Sequence, residues 1–201
     1  FSFFPASRPN DRGSFASIGE RGAYESHLAV LRAAIGRPCV LVMEDDVQFS
    51  NEIGSLSRLI DEMPDSWDVL YLGHAQIAEI AKDLPGSGLV RVGCEYEFIC
   101  LHCYAINGKA IAKLVDACDG FLTRPVGDPA GGPMPIDGAL NIARRVLGLE
   151  TYVINPPVAI QRASRTDIGR LKWFDKIEAL RRPVHLGRRV KNRVKRILAR
   201  A

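Results

Sequence analysis

A buried strand that ends in three consecutive acids constrains this chain more than any other part of its sequence. Residues 40–43 are all apolar and have the composition of a core strand, and Glu44, Asp45 and Asp46 follow them without a break. Clustered carboxylates repel one another, so the arrangement is unfavourable unless a cation or a proton lies among them. The carboxyl end of a strand in an open α/β sheet is also where ligands commonly bind.

The spacing of these acids suits a metal site. Residues i and i+2 of an extended segment point to the same side, so Glu44 and Asp46 can bind one hard cation. A cation held there would bind a diphosphate and neutralise the charge that develops as the diphosphate leaves. The alternative is an exposed acidic turn in which Asp45 or Asp46 caps a following helix. The spacing alone leaves both interpretations open.

The net charge of +4 conceals an asymmetry along the 201 residues. Nine of the 27 Lys and Arg lie in residues 181–201, which contain no Asp or Glu, so the preceding 180 residues carry the other 18 basic side chains against 23 acidic ones. We therefore expect one domain at residues 1–180 and a basic amphipathic helix at 181–201. The acidic body, without an aromatic and basic surface pattern, argues against a nucleic-acid binder.

The basic segment has the pattern of a membrane-surface helix. Its apolar residues recur at helical spacing, and Lys and Arg fill the remaining surface. The apolar residues are Leu186, Val190, Val194, Ile197 and Leu198. A basic amphipathic helix without acids suits an anionic membrane surface, to which we expect residues 183–201 to bind. The alternatives are a helix packed on the body and a disordered tail.

Two further features predict a cytoplasmic setting. No apolar run has the length of a membrane span, and the sequence does not open with a signal-peptide pattern. Five cysteines, an odd number, do not suggest a disulfide framework. We expect a cytoplasmic protein that binds peripherally to the inner face of the cytoplasmic membrane.

The chain alternates predicted strands with predicted helices. Ser17 and Glu20 form a capping-box pattern at the start of one helix, Asn107 is a candidate cap for a second, and a third begins at residues 136–137. The predicted strands are residues 39–43, 67–72, 89–92, 98–106 and 152–154. This alternation predicts an α/β fold built on a mostly parallel sheet.

Six short blocks of the sequence resemble, in the same order, the motifs of a known family. They read GERGAYESHL at 19–28, MEDDV at 43–47, WDVLYLG at 67–73, CYAI followed by GKA at 103–110, PID at 135–137, and PP followed by DI at 156–168. Together they resemble glycosyltransferase family 25, the group of lipooligosaccharide and collagen galactosyltransferases. The sequence departs from the family pattern at Ala23, where a cysteine is usual, and at Thr166, where a serine is usual.

The resemblance implies a fold and a reaction. The fold is GT-A-like, a Rossmann-type, mostly parallel sheet flanked by helices that binds a nucleotide sugar with a divalent metal. Family members normally begin with a strand and a helix, and this sequence opens at the stretch that follows them, so we expect the fold without that first βα unit. The implied reaction inverts the anomeric carbon of a hexose.

The same resemblance assigns metal-binding and catalytic residues. Asp46 is the first candidate ligand for Mn²⁺ or Mg²⁺ and Glu44 the second, while Asp45 is expected to face the ribose of the donor or a backbone amide. An inverting displacement needs one base that takes the proton of the acceptor hydroxyl. Asp137, which follows a Pro-rich loop and begins a helix, is the candidate base. The alternative role for Asp137 is an N-cap carboxylate.

The remaining candidate residues bind the donor. Ser26 and His27 belong to the first conserved block of the resemblance, and Asp167 to the last. For His27 the alternative is an ordinary packing residue. For Asp167 contact with the metal, the acceptor or only its own helix terminus stays open.

The predicted function is therefore the transfer of a hexose from a nucleotide diphosphate sugar to a saccharide acceptor. UDP-galactose is the default donor, and a lipopolysaccharide or lipooligosaccharide precursor is the expected glycolipid acceptor. The alternative is a non-catalytic protein of the same fold that binds a sugar nucleotide or a glycan. A glycoside hydrolase fits less well, because its two acids normally come from separated segments.

Overall fold

The structure is a computed structural model that describes residues 2–76 and 81–162. In chain order the described elements are α1 (Ile18–Ala33), β1 (Cys39–Met43), β2 (Val47–Phe49), a 3₁₀ helix (Asn51–Ser55), α2 (Leu56–Asp61), β3 (Val69–Ala75), β4 (Gly88–Val92), β5 (Ile99–Asn107), α3 (Gly108–Leu122), α4 (Ile136–Leu147), β6 (Thr151–Asn155) and β7 (Ala159–Gln161). Asp167 and the predicted basic helix at 181–201 lie outside the described residues. Within those residues no helix has the length and apolar composition needed to cross a membrane.

Side chains cap two helices at the positions that the sequence predicts. The Ser17 hydroxyl accepts a hydrogen bond from the Glu20 N–H at 3.1 Å, and the Asn107 side chain accepts one from the Lys109 N–H at 3.3 Å. These bonds satisfy N–H groups that the first turn of a helix leaves without an internal partner. Ser17 and Asn107 are therefore confirmed as helix caps.

The main sheet has five strands in the order β1-β5-β3-β6-β4. The pair β3–β6 is parallel, and the other three pairs are antiparallel. The α/β class is confirmed, but the described sheet is mostly antiparallel and the prediction of a mostly parallel sheet is wrong.

Successive helices explain part of this difference. One helix between two strands returns the chain for a parallel pairing, whereas α3 and α4 follow one another between β5 and β6. The chain consequently enters β6 in the direction opposite to β5. Strands β1, β3 and β6 run one way and β4 and β5 the other. The carboxyl ends of β1, β3 and β6 therefore lie at the same edge of the sheet.

The strand register aligns one row of side chains on the sheet face that packs against α1, α3 and α4. Five residues at paired positions on neighbouring strands are buried in one core cluster with side chains from α1, α3 and α4. They are Val42, Tyr104, Tyr71, Val153 and Val90. A smaller cluster on the opposite face includes residues from α2, β3 and β7. Each face of the sheet is thus packed, which holds the strand ends in place.

A second, two-stranded sheet lies next to the end of β1. Strands β2 and β7 pair antiparallel, with Val47 opposite Gln161 and Phe49 opposite Ala159. The sequence analysis did not predict either strand, because three residues are too few to show a two-residue period. This small sheet turns the acidic run back on itself and brings residues 159–162 beside it.

Candidate functional site

The three acids lie in a tight turn between β1 and β2. The Val47 N–H donates to the Glu44 carbonyl at 3.3 Å, and the Glu44 N–H donates to the His102 carbonyl at 3.0 Å. The prediction that Glu44 and Asp46 share one side of an extended segment is therefore wrong, because the backbone turns at Asp45 and Asp46. We call residues 44–47 the acidic turn. It begins where β1 ends, at the sheet edge that also receives the ends of β3 and β6.

The last residue of β7 and the residue after it both bond Asp46. Its carbonyl accepts the Arg162 N–H at 2.8 Å, and its carboxylate is hydrogen bonded by the Gln161 side chain. Burial, followed by the nearby charge of Glu44, raises the pKa of Asp46 above its ordinary value. The turn therefore brings Glu44 close enough to Asp46 for the two carboxylates to repel, as the clustered acids of the sequence suggest.

Glu44 is supported by a buried histidine and a buried tyrosine. The Nε2 of His27 lies 3.2 Å from Glu44 Oε1, and its Nδ1 lies 2.9 Å from the Tyr104 hydroxyl. A carboxylate only accepts hydrogen bonds, so Nε2–H donates to Glu44, and in the tautomer protonated at Nε2 alone Nδ1 accepts from Tyr104. Burial raises the pKa of Tyr104 well above its ordinary value, which keeps this hydroxyl a donor. Tyr104 thereby fixes the imidazole that orients Glu44.

Two further histidines lie at the same edge. The Nε2 of His102 bonds the Ala159 carbonyl at 3.1 Å, and the Nε2 of His74 bonds the Ile154 carbonyl at 3.2 Å. The His74 ring also packs edge-on against Phe98, with 5.1 Å between centroids. Burial lowers the pKa of His74 from 6.5 to about 4, so this side chain is neutral at physiological pH.

The strands beside these histidines are irregular. The register between β3 and β5 shifts on either side of Gly73, and Cys100 has a φ of 65°. A φ in the left-handed region is uncommon for a residue other than glycine. Bulges and residues in rarely populated backbone conformations are often found near functional sites, where they redirect side chains.

Asp137 lies in the first turn of α4, and its side chain is not the cap of that helix. Pro135 occupies the N-cap position, and Asp137 Oδ1 accepts the Gly138 N–H at 2.8 Å. Burial is the main cause that raises the pKa of Tyr71, and the negative charge of Asp137 raises it further. Tyr71 pairs with Tyr104 in the sheet. In the described residues no hydrogen bond or ion pair joins Asp137 to the acidic turn.

The other predicted donor-binding residues are placed differently. Ser26 accepts the Ser7 N–H at 2.8 Å and donates to the Gly22 carbonyl at 2.6 Å, so it holds the N-terminal segment on α1. Asp45 is exposed at the tip of the acidic turn. Among the predicted residues the structure brings together Glu44, Asp45, Asp46 and His27, while Asp167 lies outside the described residues.

Tyr104 and His102 belong to this site and were not predicted from the sequence, and neither was Gln161. Tyr104 and His102 lie on β5, and β5 pairs directly with β1, the strand that precedes the acids. Strand pairing is a tertiary feature that a single sequence does not reveal, although the block at 103–110 already included Tyr104. An unbroken apolar strand containing a lone histidine was the available signal for His102.

Comparison with known proteins leaves the family open. No protein-family model matches the chain, and no curated protein matches it at a significant level. In the described residues, no three His, Cys, Asp or Glu side chains form a group that could hold a metal ion by themselves.

The lowered pKa of His74 predicts a specific pH dependence of stability. The unfolded chain binds this proton near pH 6.5 and the folded chain only near pH 4, so His74 makes the folded state less stable as the pH falls between these values. Replacing His74 with Gln should remove this contribution. Urea unfolding at about pH 7 and about pH 5 should show that the wild type loses about 2 kcal/mol more than His74→Gln over this interval. Equal losses would contradict the prediction.

Proposed function

We propose that this protein is an inverting glycosyltransferase that moves a hexose from a nucleotide diphosphate sugar to a saccharide acceptor. The observation that carries the proposal is the acidic turn, in which a half-buried Asp46 carboxylate lies beside Glu44. The turn lies where three strands end, the position at which open α/β sheets bind ligands. A GT-A-like arrangement of this domain, and UDP-galactose as the default donor, are parts of the same proposal and derive from the family resemblance.

The acidic turn fits a divalent cation on electrostatic grounds. Burial and the charge of Glu44 both disfavour the ionised form of Asp46, and a bound cation would reverse this effect. Mn²⁺ or Mg²⁺ is commonly held by one or two carboxylates together with substrate phosphates. Asp46 and Glu44 would hold it here, and it would offset the charge of the departing nucleoside diphosphate. A site completed by the donor does not require three protein ligands.

Asp45 and His27 have different roles in this proposal. Asp45 is exposed at the tip of the acidic turn, where it can face the ribose or another polar group of the donor. Both ring nitrogens of His27 are engaged, by Glu44 and by Tyr104. His27 therefore supports Glu44 and does not present a nitrogen to the donor. Ser26 and Asp167 remain candidates only through the resemblance.

Asp137 is the proposed base. The bond from Gly138 engages Oδ1, and in the described residues Oδ2 makes no hydrogen bond. A half-buried carboxylate with one such oxygen can take the proton of an acceptor hydroxyl. The alternative role is electrostatic, since an acid in the first turn stabilises a helix.

The metal role predicts the behaviour of an Asp46→Asn variant. Transfer of hexose should fall roughly 100-fold or more, because the lost carboxylate would contribute several kcal/mol of charge stabilisation. The melting temperature should stay the same or rise, since the substitution removes a carboxylate that burial and Glu44 disfavour. Released nucleoside diphosphate, measured over a panel of nucleotide sugars with Mn²⁺, gives the activity.

Asp116→Asn is the matched control for this experiment. Asp116 is an exposed acid on α3, so the same change of charge there should leave transfer intact. Full activity of Asp46→Asn in the presence of EDTA would exclude the metal role. Binding of a sugar nucleotide without turnover by the wild type would instead favour the non-catalytic alternative.

The role of Asp137 as a base predicts a different kinetic pattern. Asp137→Asn should lower kcat by about 100-fold or more while donor affinity changes little, because a base acts in the transition state. Steady-state kinetics with a donor-binding titration separate the two quantities. If kcat is unchanged, Asp137 contributes only to the start of α4.

The proposed acceptor accounts for the basic segment of the sequence. A glycolipid precursor assembled at the inner face of the cytoplasmic membrane would be reached by a protein bound to that surface through residues 183–201. Each Lys or Arg near an anionic membrane contributes roughly 1 kcal/mol of attraction. A protein truncated after Arg182 should therefore no longer sediment with anionic vesicles, yet should still transfer hexose to a soluble acceptor. Equal vesicle binding by the truncated and full-length proteins would refute membrane attachment through this segment.

A further inference from the structure

His102 bonds both the acidic turn and strand β7. Its backbone carbonyl accepts the Glu44 N–H at 3.0 Å, which fixes the residue that opens the turn. Its side chain, which is 3% exposed, bonds the Ala159 carbonyl of β7 through Nε2 at 3.1 Å. A carbonyl only accepts, so Nε2–H is the donor. One residue of β5 thus bonds the first residue of the acidic turn and the first residue of β7.

Strand β7 carries this connection on to Asp46. Two residues after Ala159, the Gln161 side chain bonds the Asp46 carboxylate, and the next N–H, that of Arg162, bonds the Asp46 carbonyl. Strand β7 is only three residues long and pairs with the equally short β2. The His102 side chain is therefore a brace between the main sheet and the short strand that positions Asp46.

Gly73 leaves the space that this brace occupies. A Cβ at Gly73 would collide with the His102 ring at Nε2 and would lie 2.8 Å from the Ala159 carbonyl oxygen. These are the two atoms joined by the His102 hydrogen bond. The break in strand register at Gly73 falls at the same point. Absence of a side chain at position 73 is thus required for the contact between His102 and β7.

We propose that His102 is a positioning residue that sets the separation of Glu44 and Asp46 for the cation and diphosphate of the proposed transfer reaction. This inference rests on the proposed function. The backbone carbonyl of His102 bonds Glu44. The side chain of His102 bonds β7, which in turn bonds Asp46. In the described residues Nδ1 of His102 makes no hydrogen bond, so the Nε2 bond is the polar contact by which the ring acts.

Two amide variants separate this role from general packing. In His102→Gln the amide nitrogen lies close to the position of Nε2 and can still donate to the Ala159 carbonyl. In His102→Asn the shorter side chain places the amide near the position of Nδ1, so the bond is lost. We expect His102→Gln to retain Mn²⁺ affinity in the presence of UDP. His102→Asn should lose about 10-fold to 100-fold, the usual effect of removing support from a metal ligand.

The measurement is an electron paramagnetic resonance titration of Mn²⁺ with UDP, together with urea unfolding of each variant. Equal Mn²⁺ affinity in both variants, whether high or low, would overturn the role of His102, and so would failure of both variants to fold. Wild-type protein that binds no Mn²⁺ in the presence of UDP would overturn the proposed function itself. The two failures are therefore distinguishable.

A glycine pair tests the same contact without altering a polar group. Gly73→Ala should displace the His102 ring and weaken Mn²⁺ binding to about the level of His102→Asn. Gly120→Ala is the control, because a Cβ there meets no atom within 4 Å, and it should bind Mn²⁺ as the wild type does. Wild-type affinity in Gly73→Ala, with its fold intact by circular dichroism, would also contradict the positioning role.

Discussion

Strand β5 is the element on which both the sheet and the candidate site depend. Its backbone pairs with β1 on one side and β3 on the other, so it joins β1 to the rest of the sheet. It also carries Tyr104, which orients the imidazole beside Glu44, and His102, which reaches β7. A shift of β5 by one residue would exchange the faces of all its side chains and separate both residues from their partners. The packing of the core therefore determines the geometry of the acidic turn.

Local chemistry explains which parts of the fold could be predicted. Caps such as Ser17 and Asn107 depend on neighbouring residues, and the five predicted strands have enough length or apolar content to be recognised in the sequence. Strand direction depends on which strands pair in the sheet, and strand and helix periodicity does not encode that pairing. The prediction that the acids follow β1 is confirmed, and the prediction that they lie in an extended segment is wrong. The turn is set by the pairing of β2 with residues 159–161, which are distant in the chain. Tyr104 and His102 act through contacts distant in the chain, so their roles required the structure.

The carboxylates of Glu44 and Asp46, the two less exposed acids of the turn, have different surroundings. Glu44 receives a hydrogen bond from a histidine that is itself fixed by Tyr104, while Asp46 is bonded by Gln161 on a short strand. Burial and the neighbouring charge act against ionised Asp46. Hydrogen bonds from His27 and Gln161 thus hold two carboxylates near one another, and repulsion between ionised carboxylates is the property by which the turn would favour a cation. Such an arrangement gives the site a shape before any ligand arrives.

The close fit between Gly73 and His102 has a consequence for how this chain can change over time. An imidazole at position 102 and any side chain at position 73 compete for the same volume, so neither position can vary alone without cost. Among descendants of this sequence the two positions should change together, and a larger residue at 73 should accompany a smaller one at 102. The contact thereby imposes a joint evolutionary constraint on two strands that neighbour the acidic turn.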